Sequence, residues 1–536
     1  MKEFSYKTRQ ENINKLKNQH YDILIIGGGI TGAGVARDAA LRGLSVALVE
    51  ANDYAYGTSS RSSKLIHGGI RYLENLEFHL VFEALNERTK LFNIAPHLVH
   101  PLRFMIPIFN NSRVTLGKMN LGMWVYDALS LFQAPEIHEK LNNNETIERM
   151  PIVKHQGLKG SIVYSDAYMD DDRLAHETLR SAHEAGAVCV NYVKADKSNF
   201  NEATGKVKSI QVYDKIGQEH FSISAQHVVS TVGPWTDLVG PTFVNDWKKI
   251  LRPTKGIHLT LAKERLPLTS AVVMAAQESD RIVFAIPRHE MIIIGTTDTD
   301  YKDDPSLASV TPEDVQYLIN ITNEYFPGAN ITTQDIISSY VGVRPLVQDD
   351  SSSEGKTSRE HTILSDKRGF TFVAGGKYTT YRLMSEQIVD KVLKSFSFEQ
   401  RAHFKPCETN APLNSYTTPD AYQEAVTTAQ GDLQKKLAER YGLEYREILR
   451  KYDASEEQWC LEAYQAIYNT MCLNLTDFYS RRVPLFLAEK NHGIEFLENI
   501  ADVFQRELRL SSEEVNLQIR DLQEYISREL KWKKSF

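Results

Sequence analysis

Between Tyr21 and Glu50 the chain carries Gly27-Gly28-Gly29-Ile30-Thr31-Gly32, a G-x-G-x-x-G run that restricts the fold more tightly than any other stretch. An apolar segment, Asp22 to Ile26, leads into it, and a helical pattern from Ile30 to Arg42 follows and stops at Gly43. A second apolar segment, Ser45 to Val49, then ends on the acidic Glu50. Strand, glycine turn, helix and strand make a βαβ unit, whose parallel strands need a helical crossover. Each glycine has a physical task in such a turn. Gly27 permits the tight bend, Gly29 lets the backbone approach a pyrophosphate, and Gly32 lets helix and strand pack closely. The helix N-terminus favours phosphate charge, with Gly28 and Thr31 completing the cradle. Glu50 stands where a carboxylate accepts hydrogen bonds from ribose hydroxyls, which favours a cofactor without a 2'-phosphate.

Other segments decide which dinucleotide is expected. Ala55 to Gly69 is rich in small and hydroxylated residues and includes Thr58, Ser59, Ser63, Lys64, Leu65, His67, Gly68 and Gly69. A loop of that composition can wrap a long ligand. Thr231 and Gly233 follow a later strand, and Gly375-Gly376-Lys377 lead into a helix start at Thr379 and Thr380. Three glycine elements imply an extended dinucleotide, and no second fingerprint provides for nicotinamide. FAD is therefore the expected cofactor, with electrons entering from a bound substrate. Thr379 and Thr380 stand where they can cap the helix after Lys377 or hydrogen-bond the flavin pyrimidine edge, and the helix dipole there would stabilise reduced, anionic flavin.

With 536 residues the chain exceeds one compact core. Residues 1–20 read as a charged leading helix. Segments 21–100, 160–250 and 346–403 read as the FAD-binding domain, and 101–159 with 251–345 as an inserted substrate (cap) domain built on an antiparallel sheet. Residues 404–417 read as a linker and 418–536 as a C-terminal helical domain. The expected class is mixed α/β and α+β. A formal charge of −7, from 62 basic and 69 acidic side chains, gives nucleic acid no electrostatic support. Four cysteines form no close pairs, so no zinc site or redox dithiol is expected, and a reducing cytoplasmic compartment fits. No metal is expected. The acid run Asp170, Asp171 and Asp172 reads as a helix cap. Leu116 to Phe132 is apolar on nearly every face, which suits a buried helix better than a bilayer contact.

These residues and motifs resemble those of FAD-dependent glycerol-3-phosphate dehydrogenases of the respiratory, bacterial and mitochondrial type. The resemblance spans roughly Tyr21 to Ser385, through Asp22 to Gly34, Thr58 to Glu74, Thr231 to Trp235, Ile294 to Asp298, Tyr340 to Leu346 and Ala374 to Arg382. Asp477 to Leu487 in the tail is also similar. It implies a D-amino-acid-oxidase-like fold and oxidation of sn-glycerol 3-phosphate to dihydroxyacetone phosphate. It further implies delivery of electrons to membrane quinone from the cytoplasmic face; a homo-oligomer is expected.

A phosphorylated polyol needs cations for its phosphate and a base for its hydroxyl proton. Arg344, Lys377, Arg71 and Arg359 are the candidate cations, and Tyr72 lies beside Arg71. Arg344 and Lys377 are otherwise odd places for charge, one leaving a strand and the other entering a helix. His67 is the expected base, since an imidazole titrates near ~6.5, and His258 is the alternative. Other readings of the same residues are an oxygen-using glycerol-3-phosphate oxidase, an amine or amino-acid oxidase of the same fold, and a non-catalytic flavin-bearing scaffold.

Overall fold

The computed structural model describes residues 1–74, 76–275, 281–348, 361–452 and 457–536, apart from the side chains of residues 71 and 74. The apolar strand His20–Ile26 is buried along nearly its whole length, as a strand covered on both faces must be. It pairs in parallel with Val46–Val49 on one side and with Glu219–Ser230 on the other, Ile26 facing Val49 and Ser230. The sheet runs Thr362–Asp366, Phe370–Ala374, Glu219–Ser230, His20–Ile26, Val46–Val49 and Val188–Val190, with Val193–Phe200 and Val207–Asp214 attached to it. Helices Ile30–Leu41, Asp171–Glu184 and Tyr381–Leu393 pack together, and the first packs on the two leading strands. A nucleotide-binding sheet of this kind presents its site at the carboxyl ends of the parallel strands.

A second, ten-stranded sheet centres on Val99–Phe109 paired with Leu158–Met169 and on Thr254–Ala262 paired with Ile336–Arg344. It is antiparallel except where Ala271–Ala275 runs parallel to Val99–Phe109. From Pro419 onward the described elements are all helical. One apolar cluster passes without a break from the second sheet, through Phe104, Ile162 and Ile293, into tail residues Phe478, Phe486, Phe504 and Leu522. Trp532 joins the opposite face of that sheet beside Ile336 and Val341.

Two expectations are corrected. The helix Leu116–Leu129 is not buried. Only Met123, Tyr126 and Asp127 turn inward, while Leu121 and Trp124 are 66% and 49% exposed and Phe132 beyond the helix is 59% exposed. Asp170 is the N-cap of Asp171–Glu184 but makes no capping bond. Its buried carboxylate instead binds Arg288, His289 and Arg173, and Asp171 binds Lys64 and Ser62. The acid run is thus mainly a buried ion-pair hub, in which Lys64 and Arg288 from other elements converge with Arg173 of the same helix.

Candidate flavin site

The glycine turn is held from three sides. Gly27 adopts φ +109°, a conformation other residues rarely reach, and donates its N–H to Val49 O at 2.9 Å. A Cβ on Gly32 would lie 1.9 Å from Gly27 O, so the helix cannot start this close to the strand with any side chain there. Thr231 closes the third side, donating Oγ1–H to Gly27 O at 3.1 Å. Glu50 accepts from the N–H groups of Gly28 at 2.7 Å and Asn52 at 2.8 Å. Burial pushes its carboxyl up, against those two bonds.

A cavity of about 650 Å³ runs from this turn into the second sheet. Of the residues expected to bind cofactor, Gly27, Gly29, Thr31, Glu50, Thr58, Ser59, Ser63, Leu65, His67, Thr231, Gly233, Gly375, Gly376, Lys377 and Thr379 line it. Gly28, Gly32, Lys64, Gly68, Gly69 and Thr380 do not. Gly28 and Gly32 shape the turn from behind. Lys64 is buried and paired with Asp171, and Gly68 donates its N–H to Tyr126 Oη at 3.1 Å. Ser59 Oγ accepts from Ile30 N–H at 2.9 Å, and Thr58 donates to Val343 O at 2.7 Å, tying the hydroxyl-rich loop to both halves of the molecule.

The chemistry-bearing side chains come from separate elements. His67 follows the short strand Leu65–Ile66, and its backbone N–H donates to Thr379 Oγ1 at 3.3 Å. Lys377 Nζ sits 3.6 Å from the centroid of the Tyr72 ring, a cation–π contact between two cavity residues. Arg344, at the end of Ile336–Arg344, donates to Asp298 at 3.1 Å and Thr296 Oγ1 at 2.9 Å. His258 is buried, stacks on Tyr340 at 4.7 Å, and shares a 2.9 Å hydrogen bond with Ser63 Oγ. Burial, with Arg344 and Lys64 nearby, holds its imidazole well below the ordinary histidine range, so it is neutral at pH 7. The Arg71 side chain and Arg359 lie outside the described residues.

Sequence reasoning passed over several lining residues, among them Tyr56, Arg61, Trp235, Gly256 and Gly342. Gly256 and Gly342 face each other across two paired strands. A Cβ on Gly256 would meet Arg344 Nη2 at 2.4 Å, and one on Gly342 would meet Arg61 O at 2.7 Å. Both glycines stand next to residues already singled out, in Lys255-Gly256-Ile257-His258 and Gly342-Val343-Arg344.

The residues present fit an extended dinucleotide: a Cβ-free turn, the Glu50 carboxylate beside it and a long cavity lined by both lie together. A family model described as FAD dependent oxidoreductase (DAO) matches residues 22–382. The aerobic glycerol-3-phosphate dehydrogenase of Staphylococcus aureus (strain USA300) is 35% identical, over 96% of this chain and 97% of its own. The glycerol-3-phosphate dehydrogenase from Bacillus halodurans, solved in complex with FAD, matches with a TM-score of 0.80 and 28% identity over 98% of both chains. Glycine oxidase from Geobacillus kaustophilus, with a TM-score of 0.52 and 19% identity over 71% of this chain and 96% of its own, shares the fold. The protein is an FAD-dependent oxidoreductase with a D-amino-acid-oxidase-like core followed by helices. By cradle, cavity and kinship together, the chain belongs to the FAD dependent oxidoreductase family, among the aerobic glycerol-3-phosphate dehydrogenases.

Proposed function

We propose that this protein oxidises sn-glycerol 3-phosphate to dihydroxyacetone phosphate. The reading is carried by one observation: Arg344, Lys377, His67 and His258, from four different elements, line the same cavity as the glycine turn. Bound FAD supplies the hydride acceptor at N5. Arg344 and Lys377 hold the phosphate, with the Tyr72 ring packed against Lys377. His67 takes the C2 hydroxyl proton as the C2 hydride leaves for the flavin, so the C2 carbinol loses one hydride and one proton and becomes a ketone. His258, kept neutral, accepts or donates a single hydrogen bond that fixes the substrate hydroxyls.

The electrons pass to membrane quinone, and the protein works at the cytoplasmic face of the membrane. Exposed Leu76, Phe78 and Phe82 near one end of helix Phe78–Ile94, with Leu121, Trp124 and Phe132 on or beside the helix packed against it, support a peripheral bilayer contact. Among the described residues no helix is long and apolar enough to cross a membrane. Anaerobic titration with glycerol 3-phosphate tests the reaction. Bleaching of the flavin absorbance at one equivalent is expected; bleaching by glycine or sarcosine but not by the phosphate overturns it. Reoxidation of the bleached protein by a soluble quinone, faster than by dissolved oxygen, is the expected behaviour of the second half-reaction.

A further inference from the structure

The cofactor loop, residues 50–61, contains a single regular element, the short 3-10 turn Thr58–Ser60. Its cavity side carries Glu50, Ala51, Asn52, Tyr56 to Ser59 and Arg61. The intervening Asp53, Tyr54 and Ala55 are buried and turn away from the cavity. A loop without its own ladder of backbone bonds is held by what lies beneath it.

Beneath it lies the C-terminal helical segment. Asp53, 0% exposed, accepts from Arg481 Nε at 2.8 Å and from Arg482 Nη1 and Nη2 at 2.8 and 2.9 Å. Those arginines are held in turn: Arg481 by Asp477, and Arg482 by Thr470. Arg481 also stands 5.6 Å from the centroid of the cavity-lining Tyr56 ring. At the far end of the loop the charges reverse, and Arg61 lies 3.6 Å from Glu529 of the last long helix. Between the two anchors Ala55 sits at φ +58°, a left-handed conformation that persists only where its surroundings fix it. Its N–H bonds to Gly28 O at 3.0 Å, on the glycine turn itself. A buried carboxylate is costly unless fully paired, so these contacts are specific and not incidental packing.

We propose that the C-terminal helical segment is a cofactor clamp: Arg481 and Arg482 through Asp53, and Glu529 through Arg61, hold the 50–61 loop against bound FAD and set how slowly it leaves. One anchor holds the loop beside the glycine turn and the other holds it beside the second sheet, where Arg61 donates to Val341 O.

The test measures FAD release from the holoprotein, as the rise of free-flavin fluorescence after dilution, in three variants. Asp53→Asn combined with Arg482→Gln removes one anchor with its charges balanced, and Glu529→Gln loosens the other without touching a cavity residue. Arg446→Gln, which breaks an exposed pair with Glu424 on the same helical segment, is the control. Release about tenfold faster in the double variant and a few-fold faster in Glu529→Gln is expected, with the control at the parental rate. Circular dichroism of each holoprotein checks that it is folded during release, and if the double variant does not fold, Glu529→Gln alone decides. Release within about twofold of the parent in every folded anchor variant overturns the clamp, as does equal acceleration by the control.

Discussion

Arg344 and the two histidines carry the sharpest tests at the scale of single residues. The guanidinium of Arg344 is oriented by Asp298 and Thr296, so its planar fork is fixed before any phosphate arrives. Lysine keeps the charge but loses the fork. Arg344→Lys is expected to raise KM for glycerol 3-phosphate by about ten- to a hundredfold with a smaller fall in kcat, since a charge-assisted bond is worth about 1.5–3 kcal/mol. An unchanged KM removes Arg344 from the phosphate site. His258 is neutral well below the ordinary histidine range, so it cannot supply an ionisation near neutrality. The acid limb of the pH–rate profile is therefore expected to survive in His258→Gln and to vanish in His67→Gln. The reverse pattern makes His258 the base. The glycine turn was legible from spacing alone because its contacts are local. Gly256 and Asp298 beside Arg344, and Arg61 beside Gly342, were not, because cross-strand register and chain crossings bring them there.

At the scale of elements, the helix Leu116–Leu129 shows why composition does not assign burial. Its residues are apolar on nearly every face, so none stands out, and only the tertiary context turns Met123 and Tyr126 inward. Tyr126 donates to Asp166 at 2.7 Å and receives the Gly68 N–H, so the inner face of the helix supports the turn beside His67. The outer face leaves Leu121 and Trp124 in solvent. Trp124→Glu with Leu121→Glu removes two apolar anchors worth about 1.5–3 kcal/mol each, so vesicle binding is expected to fall roughly a hundredfold or more. Co-sedimentation with phosphatidylglycerol–phosphatidylcholine vesicles reads this out, and the flavin content is expected to be unchanged. Equal sedimentation of parent and variant removes this face from the membrane. The acid run at 170–172 was misread for a related reason: a local signal for a cap is the same as for an ion-pair hub whose cations Lys64 and Arg288 arrive from distant elements.

At the scale of the whole molecule, one buried charge network joins the nucleotide sheet to the helical tail. Tyr192 donates to Asp477 at 2.6 Å, while Arg481 bridges Asp477 and Asp53. The two carboxyls respond oppositely. Against the desolvation of burial, Arg482 and Arg481 hold Asp53 well below the usual carboxylate range. Burial and the neighbouring Asp53 push Asp477 up to about 6. An unfolded aspartate ionises near ~3.9, so between about pH 4 and 6 the folded protein retains on Asp477 a proton that the unfolded chain has lost. Stability from this group therefore falls as pH rises through that window and is constant above it. Asp477→Asn carries no charge at any pH and avoids that loss. Its Tm relative to the parent is expected to climb from about pH 4 to 6 and then level, measured on holoprotein at saturating FAD to keep cofactor binding constant. A difference that is flat across the window, or one that slopes downward, means that Asp477 ionises as an ordinary carboxylate.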